Sequence, residues 1–118
     1  MTDLGDDASE SFCYLTTSGR ITGDPHEIEI WFAALGSTIY MLSGGGTRSD
    51  WVRNLLAAPD VKVRIRGHGF GGRARVVEDP AEEAWARAAL LEKYNRTYSG
   101  DLTRWSQTAL PVGIDLLG

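Results

Sequence analysis

Cysteine is nearly absent from this chain, histidine is scarce, and basic charge is in deficit. The single Cys13 cannot close an intramolecular disulfide, and cysteine-based metal clusters are excluded with it. It lies in an apolar run, which points to a buried, inert thiol. The two histidines, His26 and His68, have no cysteine partners, so no transition-metal site is expected. No apolar run approaches the ~20 residues that would span a bilayer. Twelve Lys and Arg against sixteen Asp and Glu give a formal charge of −4. That balance opposes nucleic-acid binding, which calls for a net basic surface. The opening stretch MTDLGDDASES is acidic and polar, unlike a secretory signal. Residues 1–11 therefore read as a flexible tail, and the protein as cytoplasmic. No His–Asp relay accompanies Ser43, so a hydrolase is not indicated.

What is present is the material of one small globular domain, residues 12–118. An apolar fraction of 42% and a charged fraction of 24% suit a soluble fold. A chain of 118 residues is too short to divide into two self-sufficient cores. Alternation with period two dominates it. In PHEIEIWF, His26, Ile28, Ile30 and Phe32 share a face opposite Glu27, Glu29 and Trp31. In VKVRIR, Val61, Val63 and Ile65 oppose Lys62, Arg64 and Arg66. FCYLTT, TIYMLS, GRARVVE after a turn over Gly67–Gly72, and LPVGIDLL complete six antiparallel strands. Two short helices interrupt them. One spans Asp50 to Ala58 and stops before Pro59. The other starts at Asp79 as N-cap, with Pro80 at the first helical position and Glu82 completing a D-x-x-E box. Ala81, Ala84, Ala88 and Leu91 would be its sheet-facing stripe. The fold class is mainly β (α+β), a closed or nearly closed barrel with helices at its mouth.

Three stretches look like more than scaffold. TTSGRITGDP, Thr16 to Pro25, gathers turn glycines, hydroxyls and Arg20, a composition suited either to holding an anion or simply to making a hairpin. SGGGTRSDW, Ser43 to Trp51, runs from three glycines into a helix N-terminus with Ser49 as N-cap and Arg48 beside it, a recipe for binding phosphate or carboxylate. Tyr94 and Tyr98 are four apart, with Trp105 beyond, and serve either as a lid over a flat ring or as core. Anion loops and aromatics with few acid or base groups fit an enzyme whose chemistry belongs to its cofactor. Lys62, Arg64, Arg66, Arg73 and Arg75 form the one basic row, read here as a solvated sheet face rather than an interaction surface.

Together, TTSGRITGDP, IYMLSGGG and WVRNLLAAPDVKVRI resemble the deazaflavin-dependent nitroreductase family of the flavin-binding, pyridoxamine phosphate oxidase-like split-barrel superfamily. The W-x-x-N-L-x-x-x-P-x-V pattern (Trp51, Asn54, Leu55, Pro59, Val61), in register with the T-T-x-G-R loop, carries the resemblance. It runs from about Tyr14 to Val77 and resumes more weakly through Tyr94–Leu116. The resemblance implies a six-stranded split β-barrel with two short helices, binding the deazaflavin coenzyme F-420, or FMN as in relatives. It also implies a small-molecule acceptor such as a quinone, enone or nitro compound, and a homodimer. Thr17, Gly19, Arg20 and Thr22 would contact the coenzyme tail, with Pro25 and His26 at the end of that loop. Ser43, Gly44, Gly45 and Gly46 would line the ring, with Arg48 beside them and Trp51 and Asn54 closing over it. Trp31 would face ring or substrate, while Tyr94 and Tyr98 shape the acceptor pocket. Ser43, Tyr94 or Tyr98 would donate to charge building on the acceptor. Two positions depart from the family pattern, Ile21 and Gly44, where lysines are usual. That departure keeps an FMN-dependent reductase and a non-catalytic coenzyme carrier in view.

Overall fold

Phe32 is the hinge of the architecture. The computed structural model describes residues 4–117. Its strands are β1 (Cys13–Ser18), β2 (Pro25–Ile30), β3 (Ala33–Leu35), β4 (Thr38–Ser43), β5 (Asp60–Ile65), β6 (His68–Val76) and β7 (Leu110–Leu116). They form one antiparallel sheet in the order β2-β1-β5-β6-β7-β4-β3. Among the described residues the strands therefore number seven, not the six expected from the alternation. PHEIEIWF reads as one strand, but it stops at Ile30, and Ala33–Leu35 pairs with β4 at the far end of the sheet. Only Trp31 and Phe32 separate β2 from β3, so the sheet's two ends must lie close and the sheet curls into a half-barrel. Period-two patterning reports that a chain is extended, but not which neighbour it pairs with.

The joint is clamped by hydrogen bonds. Phe32 is fully buried. Its N–H donates to the Tyr94 hydroxyl at 2.9 Å. Its carbonyl accepts from Lys93 Nζ at 2.8 Å and lies 3.0 Å from the Tyr94 oxygen, whose single proton is shared with the Ser11 carbonyl at 2.8 Å. Lys93 also sits 3.8 Å from the centre of the Phe32 ring. Burial pulls the Lys93 ammonium down to about 8 and pushes the Tyr94 phenol up to about 12.

The β5–β6 hairpin turns on Arg66 and Gly67 alone, at φ 52° and 82°. Positive φ at both central residues is what the commonest two-residue hairpin turn requires. The turn anticipated over Gly67–Gly72 is thus shorter, and the later glycines lie inside β6. Gly72 is there for space, since a Cβ would stand 2.6 Å from Ile114 Cγ2.

Two cores flank the sheet. The barrel interior holds Cys13, Leu15, Phe32, Ile39, Met41, Val63, Ile65, Val112 and Ile114. Burial pushes the Cys13 thiol up to about 12, which leaves it inert at neutral pH. On the other side, Tyr40, Leu42 and Val77 pack beneath α2 (Pro80–Asn95). Asp79 caps that helix as the sequence predicts, accepting from the Glu82 N–H at 2.9 Å. The predicted stripe is wrong, however: Ala81, Ala84 and Ala88 are exposed, and Ala86, Leu90 and Tyr94 are buried. Glu82 explains the rotation. It does not reach back to complete the capping box but binds Arg75 at 2.7–2.8 Å and Tyr40 at 2.5 Å. Glu82, Ala86, Leu90 and Tyr94 follow at spacing four, so the ion pair and the Phe32 clamp fix the same helix face from opposite ends.

Two further helices complete the fold. α1 (Asp50–Ala57) lies close to its expected bounds, and α3 (Thr103–Thr108) was not anticipated. The Arg87 guanidinium donates to the carbonyls of Ser106 and Ala109 at 3.0 and 2.8 Å, docking the end of α3 onto α2. Within the stretch expected to be a flexible tail, residues 4–10 make specific contacts. Gly5–Ser9 forms a 3-10 turn, Leu4 enters the barrel core, and Asp7 Oδ2 meets His68 Nδ1 at 2.7 Å. Met1, Thr2 and Asp3 of that tail lie outside the described residues. Among the described residues no helix is long and apolar enough to cross a membrane.

The Arg75 guanidinium holds the Glu82 carboxyl at about 2, against 4.5 for a free glutamate. A depressed carboxyl stabilises the fold above its unfolded value, and that contribution is lost as pH falls towards 2. Thermal unfolding should therefore show Tm dropping between pH 4.5 and 2, with a shallower drop in Glu82→Gln. Tyr94→Phe should lower stability by about 1–3 kcal/mol in denaturant unfolding, because the Phe32 N–H loses its buried partner.

Candidate functional site

The loop between β1 and β2 folds over the start of α1, and one side chain organises the contact. Asn54 is buried in the last turns of α1. Its Nδ2 donates to Thr17 Oγ1 at 3.2 Å. Its Oδ1 accepts from the Arg20 N–H at 3.2 Å and from Arg20 Nη1 at 2.9 Å. Arg20 Nη2 then reaches Asp50 Oδ1 at 3.2 Å. Residues more than thirty positions apart are thereby drawn into one wall.

That wall borders a cleft of about 500 Å³ lined by Thr17, Gly19, Arg20, Thr22, His26, Trp51 and Asn54 among others. All seven were nominated from the sequence. Volumes of a few hundred Å³ are typical of small-molecule sites. Gly19 has a steric reason, since a Cβ would stand 2.7 Å from His26 Nε2. Thr22 Oγ1 accepts from the Asp24 N–H at 3.3 Å and keeps its own proton to donate. The cleft also includes residues the sequence reading did not assign to it. Ile21 is 88% exposed at its rim, and Glu27 and Asp50 bring negative charge.

A second cleft, of about 510 Å³, lies further along β2 and is aromatic. Trp31 stacks on Tyr94 with ring centres 4.2 Å apart and planes 4° from parallel. Tyr98 and Trp105 meet Trp31 edge to face, each at 5.7 Å. Trp31, Tyr98 and Trp105 line the cleft with Leu42, Leu102, Glu29 and Asp101. Ile28 borders the first cleft and Ile30 the second. Two residues along a strand is about 7 Å, so the two clefts meet β2 at neighbouring positions.

The remaining nominated residues are placed differently. Tyr94 is buried, with its hydroxyl engaged at Phe32. Ser43 is buried, donating to the Gly46 carbonyl at 3.0 Å and bonded to Ser49 Oγ at 2.8 Å. Ser49 stands at the N-cap of α1, but its hydroxyl makes no cap bond. A Cβ at Gly45 would lie 2.6 Å from Ser49 Oγ and would displace that hydroxyl, and Gly46 sits at φ 60°. The linings of the two clefts do not include Pro25, Ser43, Gly44, Gly45, Gly46, Arg48 or Tyr94. Gly44 borders the aromatic side all the same, since a Cβ there would stand 3.9 Å from Trp105 Cδ1. In the basic row, Arg64, Arg73 and Arg75 each pair with a carboxylate.

A curled antiparallel half-barrel of this topology defines a class shared by proteins of several activities. The chain aligns with an F420-H2 dependent reductase at 21% identity and TM-score 0.70, covering 92% of this chain and 95% of that one. It aligns with the heme storage protein HutZ from Vibrio cholerae at 16% identity and TM-score 0.74, covering 98% and 88%. A FAD-binding protein from Mesorhizobium loti gives 16% identity and TM-score 0.70, covering 100% and 91%. At these identities the likeness speaks for the fold. The sequence decides within the class: residues 5–116 match the family described as F420H(2)-dependent quinone reductase, and the chain belongs to it. It is an oxidoreductase, and its coenzyme is F-420.

The buried Asn54 amide predicts its own test. Asn54→Ala leaves Thr17 and Arg20 without their shared partner and should cost about 1–3 kcal/mol in denaturant unfolding.

Proposed function

We propose that the protein transfers a hydride from reduced F-420, held in the first cleft, to a small organic acceptor such as a quinone, enone or nitro compound in the aromatic cleft. The observation that carries this reading is the Thr17–Asn54–Arg20 chain of hydrogen bonds, which sets a guanidinium at the edge of one cleft, with a second cleft further along β2. The donor set fits the anionic portion of the coenzyme. Arg20 supplies positive charge, its side chain 31% exposed, and Thr22 and His26 add polar groups on the same loop. Trp51 and Ile28 offer apolar surface for the rest.

The bound coenzyme supplies the hydride, and the protein's part is to bind, orient and exclude water. Asn54 holds Arg20 in place before anything binds, which lowers the ordering cost of binding. Asp50 tempers the Arg20 charge from the opposite side. Ile21, in place of the usual lysine, leaves Arg20 as the principal cation of this cleft. Among the three hydroxyls nominated as donors to an acceptor oxygen, Tyr98 lines the aromatic cleft, whereas Ser43 and Tyr94 are turned into the fold. Tyr98 is accordingly the donor in this reading, and Tyr94 positions Trp31 by stacking beneath it.

Fluorescence titration with F-420 and FMN side by side is the test. F-420 should bind more tightly than FMN, and Arg20→Ala should weaken F-420 about 10- to 100-fold through loss of a charge-assisted contact. Equal F-420 affinity in wild type and Arg20→Ala would remove the first cleft from the reading. Tyr98→Phe should lower kcat on a quinone more than it changes coenzyme affinity.

A further inference from the structure

The aromatic cleft carries a charge signature. Two of its rings, Tyr98 and Trp105, stand steeply to the third, 78° and 89° from the plane of Trp31. Gly100 gives Tyr98 the room to lie there, since a Cβ at that position would stand 2.6 Å from the tyrosine ring. The charged residues of the lining are Glu29 and Asp101, both acidic.

Neither carboxylate forms an ion pair among the described residues. Glu29 Oε1 accepts from the Tyr14 hydroxyl at 3.4 Å, and Asp101 Oδ1 accepts from the Thr103 N–H at 2.9 Å. That N–H holds the exposed Asp101 carboxyl below its usual range, so it is charged at neutral pH. The neighbouring basic groups are engaged elsewhere or lie outside the lining. Arg64 binds Glu27, Arg96 binds Glu92, and Lys93 binds the carbonyls of Ala8 and Phe32. Arg104 lies in α3 next to Trp105 but is not part of the cleft wall.

A cleft walled by three aromatic residues and rimmed by negative charge complements an organic cation, because accessible ring surface and the carboxylates attract the same sign. We infer that the aromatic cleft selects a planar aromatic cation over a neutral or anionic ring of the same size. This rests on the reading of that cleft as the acceptor pocket and favours, among quinones, enones and nitro compounds, those that also carry a cationic ring.

The test uses the full chain without coenzyme. Three bicyclic probes of similar shape, 1-methylquinolinium, quinoline and quinoline-6-carboxylate, are titrated while the tryptophan indole N–H resonances are followed by NMR. Trp31 and Trp105 should shift and Trp85, beside Tyr40, should not. The cation should bind about five- to tenfold more tightly than the neutral ring, and the carboxylate most weakly. The double variant Glu29→Gln with Asp101→Asn should erase the cation preference while leaving quinoline affinity unchanged. Asparagine still accepts the Thr103 N–H, so α3 keeps its start. Equal affinity for all three probes, a preference that survives the double variant, or shifts confined to the other tryptophans would overturn the inference. Because no coenzyme is present, failure here leaves the F-420 assignment standing, and failure of F-420 to bind leaves this result standing.

Discussion

The backbone of Phe32 is where the curled sheet is held together. Its N–H and carbonyl lie between two sheet ends that share no strand pairing, so their hydrogen bonds must come from side chains. Tyr94 and Lys93 supply them from α2. The same two residues tie down the N-terminal segment at Ser11 and Ala8. Tyr94 also presents its ring to Trp31, so the contact that closes the barrel sets the back wall of the aromatic cleft. Fold and site share one joint.

At the other end of α2, Arg75 bridges Glu82 and Asp115 and so connects the helix to β7. Thr38 donates to Asp115 at 2.8 Å and brings β4 into the same network. A partly exposed ion pair is seldom a large source of stability. Its value here is rotational: it decides which face of an alanine-rich helix meets the sheet. Once that face is chosen, Leu90 and Tyr94 are buried and Arg87 can reach the carbonyls that end α3. The position of Trp105 follows from that chain of contacts.

Much of the fold was legible because burial on one sheet face forces alternation. Val61, Val63 and Ile65 were read as inward and are. Asp79 was legible because a cap is a local interaction between residues three apart. The alanine stripe misled because alanine favours helix on any face and carries little information about which side is buried. The seventh strand was hidden because the break at Trp31–Phe32 has no glycine or proline to announce it. α3 was hidden because a six-residue helix is too short for periodicity to declare itself.

The sequence by itself determined the residue types of the candidate site. The T-T-x-G-R loop and the W-x-x-N-L helix named Thr17, Arg20, Trp51 and Asn54, and these converge on one cleft. Tertiary structure alone decided which hydroxyls face outward. Ser43 and Tyr94 have the chemistry of donors, yet their oxygens satisfy buried backbone and hydroxyl groups that exist only after folding. It also decided that Glu29 and Asp101, more than seventy residues apart in sequence, stand around one ring-lined cleft. Local spacing encodes strands, caps and loops, whereas the meeting of distant side chains depends on strand order and helix rotation, which are set by pairings no local pattern specifies.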